Sequence, residues 1–161
     1  MAPTAEASPT ETPVSPSSPT ATPVPVVFYQ DNFNDPNSGW GERLSQNYER
    51  GYIGGEYRIL IKETGKYNWR TATPPFSDFD VRVKARLEGA ALGKSYGLIF
   101  RQDGKNFYVF WINPTSGKYS LQKRESDEWT TIIGWTPSPH INLGTTPNVL
   151  RVIAQGSSFE L

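Results

Sequence analysis

After the first 27 residues the sequence consists of short runs of strand-forming residues separated by turn signals. The clearest run is "FDVRVKARL" (79–87), in which Val81, Val83 and Ala85 alternate with charged residues and therefore share one side of a strand. Turns such as "DGK" (103–105) then reverse the chain. This repetition predicts an all-β fold, an antiparallel β-sandwich or jelly roll over residues 28–161. The other predicted strands are "FYQDNF" (28–33), "EYRILIK" (56–62), "YNWRTA" (67–72), "SYGLIFRQ" (95–102), "NFYVFWIN" (106–113), "KYSLQKR" (118–124), "EWTTIIGW" (128–135), "NVLRVIAQ" (148–155) and "SFEL" (158–161).

Residues 1–27 have a different composition from the rest of the chain. They hold seven of the 14 prolines, interspersed with Thr, Ser, Ala and Val, and they contain no aromatic residue and no Lys or Arg. Such a segment buries too little apolar surface to offset the entropy of ordering it, so we expect an extended, disordered linker. Linkers of this kind are typical of surface-tethered or secreted proteins, although a generic interdomain linker fits as well.

Targeting signals are absent from the printed residues. "MAPTAEASPT" (1–10) has neither a basic nor an apolar region of the kind a signal peptide needs, and no apolar run approaches transmembrane length. We therefore expect no membrane insertion by this segment. For an extracellular or cell-surface domain, the targeting segment would lie outside this chain.

Composition argues against several functional classes. Sixteen basic and sixteen acidic residues cancel, which argues against a nucleic-acid partner. There is no cysteine, so disulfides, thiol nucleophiles and Cys-based zinc sites are excluded. His140 is the single histidine and lies in the Pro-rich "WTPSPH" (135–140), with no G-x-S-x-G motif elsewhere. We therefore interpret His140 as a surface-loop residue.

The run "NFYVFWIN" poses the main functional question, because both sides of the predicted strand are apolar. Alternation places Tyr108, Phe110 and Ile112 on one face. Phe107, Val109 and Trp111 form the other face. Apolar side chains on this face would be unfavourable in water unless a ligand or another part of the protein covers them. Either this second face meets a ligand, or the loops at 36–54 or 135–147 bury it.

Several motifs follow one another in a recognisable order: "DNFNDPNSGW" (31–40), "GGEYRI" (54–59), "YGLIFR" (96–101), "NFYVFWI" (106–112), "YSLQKR" (119–124), "EWTTIIGWTPSP" (128–139) and "NVLRVIAQG" (148–156). This order resembles that of bacterial extracellular domains with the concanavalin A-like lectin/glucanase jelly-roll fold. These are close in pattern to domains of unknown function related to the 3-keto-disaccharide hydrolase-like group. Such domains continue with a strand resembling Y-V-N-G and a Gly-rich strand, so we expect this chain to lack its last strands.

The resemblance implies that Tyr108, Phe110 and Ile112 lie in the core and that the second face of the strand is the concave, sugar-binding surface. Sugar rings stack on Trp and Tyr, and their hydroxyls bond to Asn, Gln, Asp and Arg. On this basis the predicted ligand-binding residues are Trp111, Arg101, Gln122, Phe107, Trp69, Tyr67 and Arg151. Ile99, Ser120 and Arg124 are expected on the same face.

Metal and catalytic sites have weaker support. Asp31 and Asp35 carry oxygen ligands suited to calcium, but they lie in an Asx-rich turn without an EF-hand pattern and are expected to bond their own backbone. Trp40 is interpreted as a core anchor. Glucanases of the fold use Glu-x-Asp-x-x-Glu on one strand, whereas the nearest match, "ESDE" (125–128), has other spacing and lies in a turn.

These observations predict a non-catalytic, surface-tethered module that binds carbohydrate or another envelope polymer and needs no cofactor. A structural or protein-interaction domain that packs on its neighbours within a larger protein is the first alternative. A glycan-active hydrolase with an unrecognised site is the second.

Overall fold

The computed structural model describes residues 27–71, 75–89 and 93–161. The chain divides into two units, Met1–Asp31 and Asn32–Leu161. In the described part of the first unit, the Tyr29 hydroxyl donates a hydrogen bond of 3.4 Å to Asp31 Oδ2. The predicted linker at residues 1–27 lies outside the described residues except for Val27.

The second unit is all-β, as predicted, and its described residues form strands without any helix. They are β1 (Arg43–Leu44), β2 (Tyr48–Ile53), β3 (Glu56–Ile61), β4 (Phe79–Ala85), β5 (Tyr96–Asp103), β6 (Asn106–Asn113), β7 (Lys118–Glu125), β8 (Glu128–Pro137), β9 (Asn148–Gln155) and β10 (Ser158–Glu160). No helix in the described part of the chain is long and apolar enough to span a membrane.

The strands form three antiparallel sheets, in the orders β1-β2-β3, β10-β9-β4 and β5-β6-β7-β8. Hairpins connect β5 to β6, β6 to β7 and β7 to β8, and each pairs over nearly the full length of its strands. This arrangement is compatible with a β-sandwich.

The core lies between the four-stranded sheet and the sheet β10-β9-β4. Phe100 and Leu121 come from the first sheet and are 5% and 2% exposed, and Val152 comes from the second and is fully buried. Val81 on β4 packs against them. The predicted alternation of β4 is confirmed, because Val81 is half-buried while its neighbour Arg82 is exposed. The two layers therefore meet through the apolar sides of amphipathic strands.

Two predicted strands are absent, and two observed strands, the two-residue β1 and β2, were not predicted. Residues 28–33 and 67–71 form no strand, whereas β2 lies within a segment interpreted as a loop. Gly51 interrupts the apolar pattern of β2, which is why periodicity did not reveal it. Gly54 and Gly55 have φ angles of 60° and 77° and join β2 to β3 in a tight hairpin that requires φ > 0 at both positions.

Hydrogen bonds at one end of the sandwich connect the two layers. The Tyr96 hydroxyl, at the start of β5, donates to the Ala85 carbonyl of β4 at 3.0 Å. It also accepts a hydrogen bond of 3.1 Å from Asn148 Nδ2 of β9. Because Asn148 is only 6% exposed, these bonds are shielded from water.

Candidate functional site

Strand β6 is covered on both faces along most of its length. Tyr108 and Phe110 pack against the core, as predicted. On the second face Phe107 and Val109 are 2% and 1% exposed, so the expectation of an open face is wrong at these positions. The alternative of a strand buried on both sides is correct there, but the rings that pack on Phe107 are Trp69 and Trp129, which lie outside the loops at 36–54 and 135–147. Trp111 remains half-buried.

Trp69 and Trp129 both pack against Phe107, and Tyr67 packs against these two tryptophans. We call the four rings the aromatic patch: Tyr67, Trp69, Phe107 and Trp129. Trp69 and Trp129 lie 5.2 and 5.8 Å from the Phe107 ring, measured between centroids. Tyr67 stacks on Trp69 at 5.6 Å and meets Trp129 edge-on at 5.7 Å with an interplanar angle of 87°. These are favourable aromatic geometries, so the patch is a packed unit.

The patch has a buried floor and an open rim. Phe107 forms the floor, and Tyr67 and Trp129 remain 45% and 39% exposed. The edge-on contact places the two exposed rings at a right angle to each other. A ligand can therefore contact the exposed parts of two rings that are already held in place by their aromatic neighbours.

Arginine side chains hold the irregular segment that carries Tyr67 and Trp69. Arg50 Nη1, from β2, donates to the Trp69 carbonyl at 3.1 Å and lies 3.4 Å from Asn68 Oδ1. Arg70 donates from Nε to the Trp40 carbonyl at 2.6 Å and from Nη2 to the Gly39 carbonyl at 2.9 Å. These bonds fix residues 68–70 against β2 and against Gly39 and Trp40, although residues 67–71 form no strand.

Arg124 lies beneath the patch on β7. It is 9% exposed, and its guanidinium carbon is 5.8 Å from the centre of the Phe107 ring. Nη1 donates to the Lys105 carbonyl at 3.1 Å, and Nη2 pairs with Asp127 Oδ1. The hydrogen bond from Lys105 and the charge of Lys105, with a smaller contribution from Arg124, hold the pKa of Asp127 below its ordinary value.

The hairpin between β7 and β8 sets the position of Trp129. Ser126 and Asp127 have φ angles of 51° and 67°, the backbone of a two-residue hairpin turn that normally favours Asn and Gly. The Ser126 amide donates to Asn106 Oδ1 at 3.0 Å, and Asp127 pairs with Arg124. This turn brings Trp129 directly opposite Arg124. Residues 125–128 therefore form a turn, as predicted, and this turn positions Trp129.

The polar residues predicted beside Trp111 lie on its face of the sheet. Gln122 pairs with Val109 and Ser120 pairs with Trp111 across the β6–β7 ladder. Trp111 Nε1 donates to Gln122 Oε1 at 3.2 Å. The Ser120 hydroxyl is buried and donates to the Ile133 carbonyl at 2.7 Å, so it serves the fold.

Arg101 and Arg151 do not reach the patch. Arg101 lies at a bulge of β5 with a φ angle of 50°, which redirects its side chain to the Gly156 carbonyl in the β9–β10 turn. Arg151 is exposed on β9, in the other sheet, and donates two hydrogen bonds to Asp80 at 2.8 and 2.6 Å. The prediction placed both on one surface with Trp111, because neither the bulge nor the division into sheets is visible in the sequence.

The Asx-rich segment bonds its own backbone. Asn32 Oδ1 accepts from the Asn34 amide at 3.1 Å, and Asp35 Oδ1 accepts from the Asn37 amide at 2.8 Å. In residues 27–71, 75–89 and 93–161, His, Asp and Glu nowhere form a group of three suited to a metal ion. Calcium binding at Asp31 or Asp35 therefore stays a prediction, and no group of three ligating side chains in the described residues supports it.

Trp40 and His140 lie away from the aromatic patch. Trp40 is half-buried and packs at 5.3 Å from Phe33 and 5.4 Å from Tyr57, measured between ring centroids. It therefore anchors a small aromatic cluster beside β3. His140 is exposed in the loop before β9, as predicted.

A second concavity lies on the three-stranded sheet and has a volume of about 370 Å³. Its lining residues are mostly charged and include Arg43, Arg50, Arg58, Glu42 and Glu49. Arg58 pairs with Glu49 at 3.1 Å, and Arg50 is engaged with the Trp69 carbonyl. These contacts engage the charges of Arg58, Glu49 and Arg50 within the fold.

Trp129 is the site residue that sequence reasoning missed. The available signal was the two-residue turn at 126–127, which pairs Arg124 with Trp129 once β7 and β8 are recognised as a hairpin. Comparison with known proteins supplies no further assignment, because no family model, no curated protein and no solved structure matches this chain.

Proposed function

We propose that this chain is a non-catalytic module that binds carbohydrate through the aromatic patch. The observation that carries the proposal is the pair of exposed rings, Tyr67 and Trp129, set at 87° on a buried aromatic floor. Pyranose rings present apolar C–H faces that pack on aromatic rings, and a pre-positioned ring loses little entropy on binding. Two adjacent exposed rings lower solubility unless something covers them, and a ligand that packs on them would do so.

The geometry of the patch favours a single glycan chain over a flat crystalline surface. Two rings at a right angle contact two sides of one sugar unit, whereas a flat surface requires coplanar rings. Asp127 pairs with both Arg124 and Lys105, so these three groups leave only a single net positive charge beside the patch. We therefore expect a neutral polysaccharide as ligand and an affinity that changes little with salt.

Ionisation at the patch supports a binding role without catalysis. Asp127 lies in the turn that precedes Trp129, and its lowered pKa keeps it ionised at neutral pH, which is unsuitable for a general acid. Glu125 pairs with Lys123 at 2.8 Å. A glycosidase needs two carboxyl groups free to face the scissile bond, whereas both of these carboxylates are engaged in ion pairs.

The proposed setting is the cell surface of a bacterium. The composition of residues 1–27 favours a tether that holds the domain away from an envelope, and the all-β sandwich is compatible with a concanavalin A-like jelly roll. The natural ligand would then be a cell-envelope or environmental polysaccharide. We expect binding to need no metal, so a chelator should leave the affinity unchanged.

Calorimetric titration against a panel of neutral and acidic polysaccharides tests the proposal. Wild-type protein should bind at least one neutral glycan, and Tyr67→Ala or Trp129→Ala should weaken that binding by about tenfold. If a sugar covers half of the exposed Trp129 surface, that surface accounts for roughly 1 kcal/mol, which approaches tenfold in affinity.

Trp135→Ala is the matched control. Trp135 is 44% exposed on the same strand as Trp129, and it lies outside the aromatic patch. Equal loss of binding in the Trp135 and Trp129 variants would contradict the proposed site. Absence of binding to every glycan would contradict the function and favour the protein-interaction alternative.

A further inference from the structure

Two polar side chains lie next to the aromatic patch on the same face of the four-stranded sheet. Trp129 belongs to the patch, and Thr131 pairs with Gln122 across the β7–β8 ladder. Residues 128–131 pair one for one with residues 122–125, and the first register shift of β8 comes only after Thr131. Alternation therefore places Trp129 and Thr131 on one face, about 7 Å apart along the strand, with Gln122 beside Thr131.

The side-chain amide of Gln122 is oriented by Trp111. Trp111 Nε1 donates to Gln122 Oε1 at 3.2 Å. An indole nitrogen only donates, so the amide oxygen must face Trp111 and Nε2 must point away from it. Gln122 is half-buried, but Nε2 has no hydrogen-bond partner in the described part of the chain and is not shut off from solvent. Its N–H groups are therefore available to a ligand.

The neighbouring polar side chains on this face are engaged by the fold. The buried Ser120 hydroxyl donates to a carbonyl of β8 at 2.7 Å. Arg124 directs Nη1 to a backbone carbonyl and Nη2 to Asp127. Thr131, by contrast, is exposed, and its hydroxyl has no partner among the residues that the structure describes. Gln122 and Thr131 thus present unused hydrogen-bonding groups beside a ring that is open to solvent.

We propose that Gln122 and Thr131 form a hydrogen-bonding subsite for the sugar that packs on Trp129, an inference that rests on the function proposed above. Gln122 Nε2 only donates, so it requires an oxygen acceptor such as a hydroxyl or a ring oxygen. The Thr131 hydroxyl both donates and accepts, so it fits a free hydroxyl group. The subsite selects glycans with unsubstituted hydroxyls beside the stacked ring, a selectivity that apolar packing by itself does not provide.

Calorimetric titration with soluble oligosaccharides of cellulose, xylan, mannan and starch tests the subsite. Thr131→Val and Gln122→Met nearly keep the size of the side chain but remove its hydrogen bonds to a sugar, so each should weaken binding by about threefold to tenfold. Thr130→Val is the matched control, because Thr130 is exposed on the same strand but pairs with Lys123 and faces the other side of the sheet. It should leave the affinity unchanged.

O-methylation of the oligosaccharide gives a readout that a purely structural role would not change. A methyl ether adds bulk and lacks the O–H donor, so wild type should bind the methylated form less tightly than the free form. In Thr131→Val and Gln122→Met the difference in affinity between the two forms should shrink, because the groups that distinguish them are gone. Thr130→Val should discriminate as strongly as wild type.

Trp111→Phe tests the positioning of Gln122. It keeps an aromatic ring but removes the indole donor, so the amide is free to turn and binding should weaken. In combination with Gln122→Met it should cause little further loss, because the group that it positions is already absent. Urea unfolding of each variant separates a loss of binding from a loss of fold.

Two outcomes would overturn the inference, and they differ in what they say about the patch. If Trp129→Ala weakens binding whereas Gln122→Met and Thr131→Val behave like Thr130→Val, the aromatic patch binds glycan but the polar subsite does not contribute. If none of these oligosaccharides binds the wild-type protein, the proposed function and the subsite fail together.

Discussion

Replacing Asn148 with alanine should destabilise the fold by about 2–4 kcal/mol. Asn148 is 6% exposed at the start of β9, and its side-chain amide takes part in four hydrogen bonds. Nδ2 donates to the Tyr96 hydroxyl at 3.1 Å and to the Asn142 carbonyl at 3.0 Å, and Oδ1 accepts from the Asn142 amide at 2.8 Å. One side chain thus joins β5, β9 and the loop that precedes β9.

The magnitude follows from what the substitution leaves behind. A hydrogen bond contributes roughly 0.5–1.5 kcal/mol net, but a buried group that loses its partner costs about 1–3 kcal/mol. Alanine is too short to replace the amide, and the Asn142 amide would lose its acceptor. Partial entry of water lowers the sum of these costs to the range above. For a domain of this size the midpoint of thermal unfolding should fall by roughly 6–15 °C.

Urea unfolding followed by tryptophan fluorescence and far-UV circular dichroism measures the effect. The midpoint should fall with little change in the m-value, because the surface exposed on unfolding is nearly the same. Gln155→Ala, at the exposed end of β9, is the control and should change stability by less than about 0.5 kcal/mol. If Asn148→Ala changes stability as little as this control does, the amide does not hold the two layers together, and the reasoning is refuted.

Further predictions concern one glycine and two titrating groups. Gly97→Ala should destabilise by about 1–3 kcal/mol in urea, because its Cβ would collide with a backbone carbonyl of β6, whereas Gly134→Ala, with open space around it, should have little effect. Burial raises the pKa of Tyr96 above 10.0, so the unfolded chain loses this proton first. Stability should therefore decline as pH rises above about 10, and less steeply in Tyr96→Phe. The hydrogen bond from Arg151 lowers the pKa of Asp80 below its ordinary value of 3.8, so the stabilisation from ionised Asp80 is present above that pH and is lost as the pH falls through the lowered pKa. Acid unfolding of Asp80→Asn should lack this loss of stability, and an acid profile identical to that of the wild type would contradict the prediction.

Local patterns in the sequence predicted much of the secondary structure. Alternation identified β4 and β6, and the turns at 103–105 and 114–117 identified the hairpins that join β5, β6 and β7. Alternation along β6 also separated the core-facing Tyr108 and Phe110 from Phe107 and Trp111. These predictions succeeded because side-chain alternation and turn conformation depend on residues that are close together in the chain.

The same local rules were insufficient where backbone conformation departed from a regular strand. The positive φ angle at Arg101 turns its side chain away from the face that alternation predicts. Residues 67–71 have strand-like composition, yet Arg50 and Arg70 hold the segment through side-chain contacts. A propensity describes the average context of a residue, and tertiary contacts override it.

By itself, the sequence determined that this chain is antiparallel β, that β6 has two apolar faces, and that Tyr67, Trp69 and Phe107 were candidates for one site. Only the tertiary structure decided that Phe107 is a buried floor, that Tyr67 and Trp129 are its exposed rim, and that Arg101 and Arg151 lie elsewhere. The physical reason is distance along the chain, because Tyr67 and Trp129 meet through strand pairings and arginine contacts that no local pattern encodes.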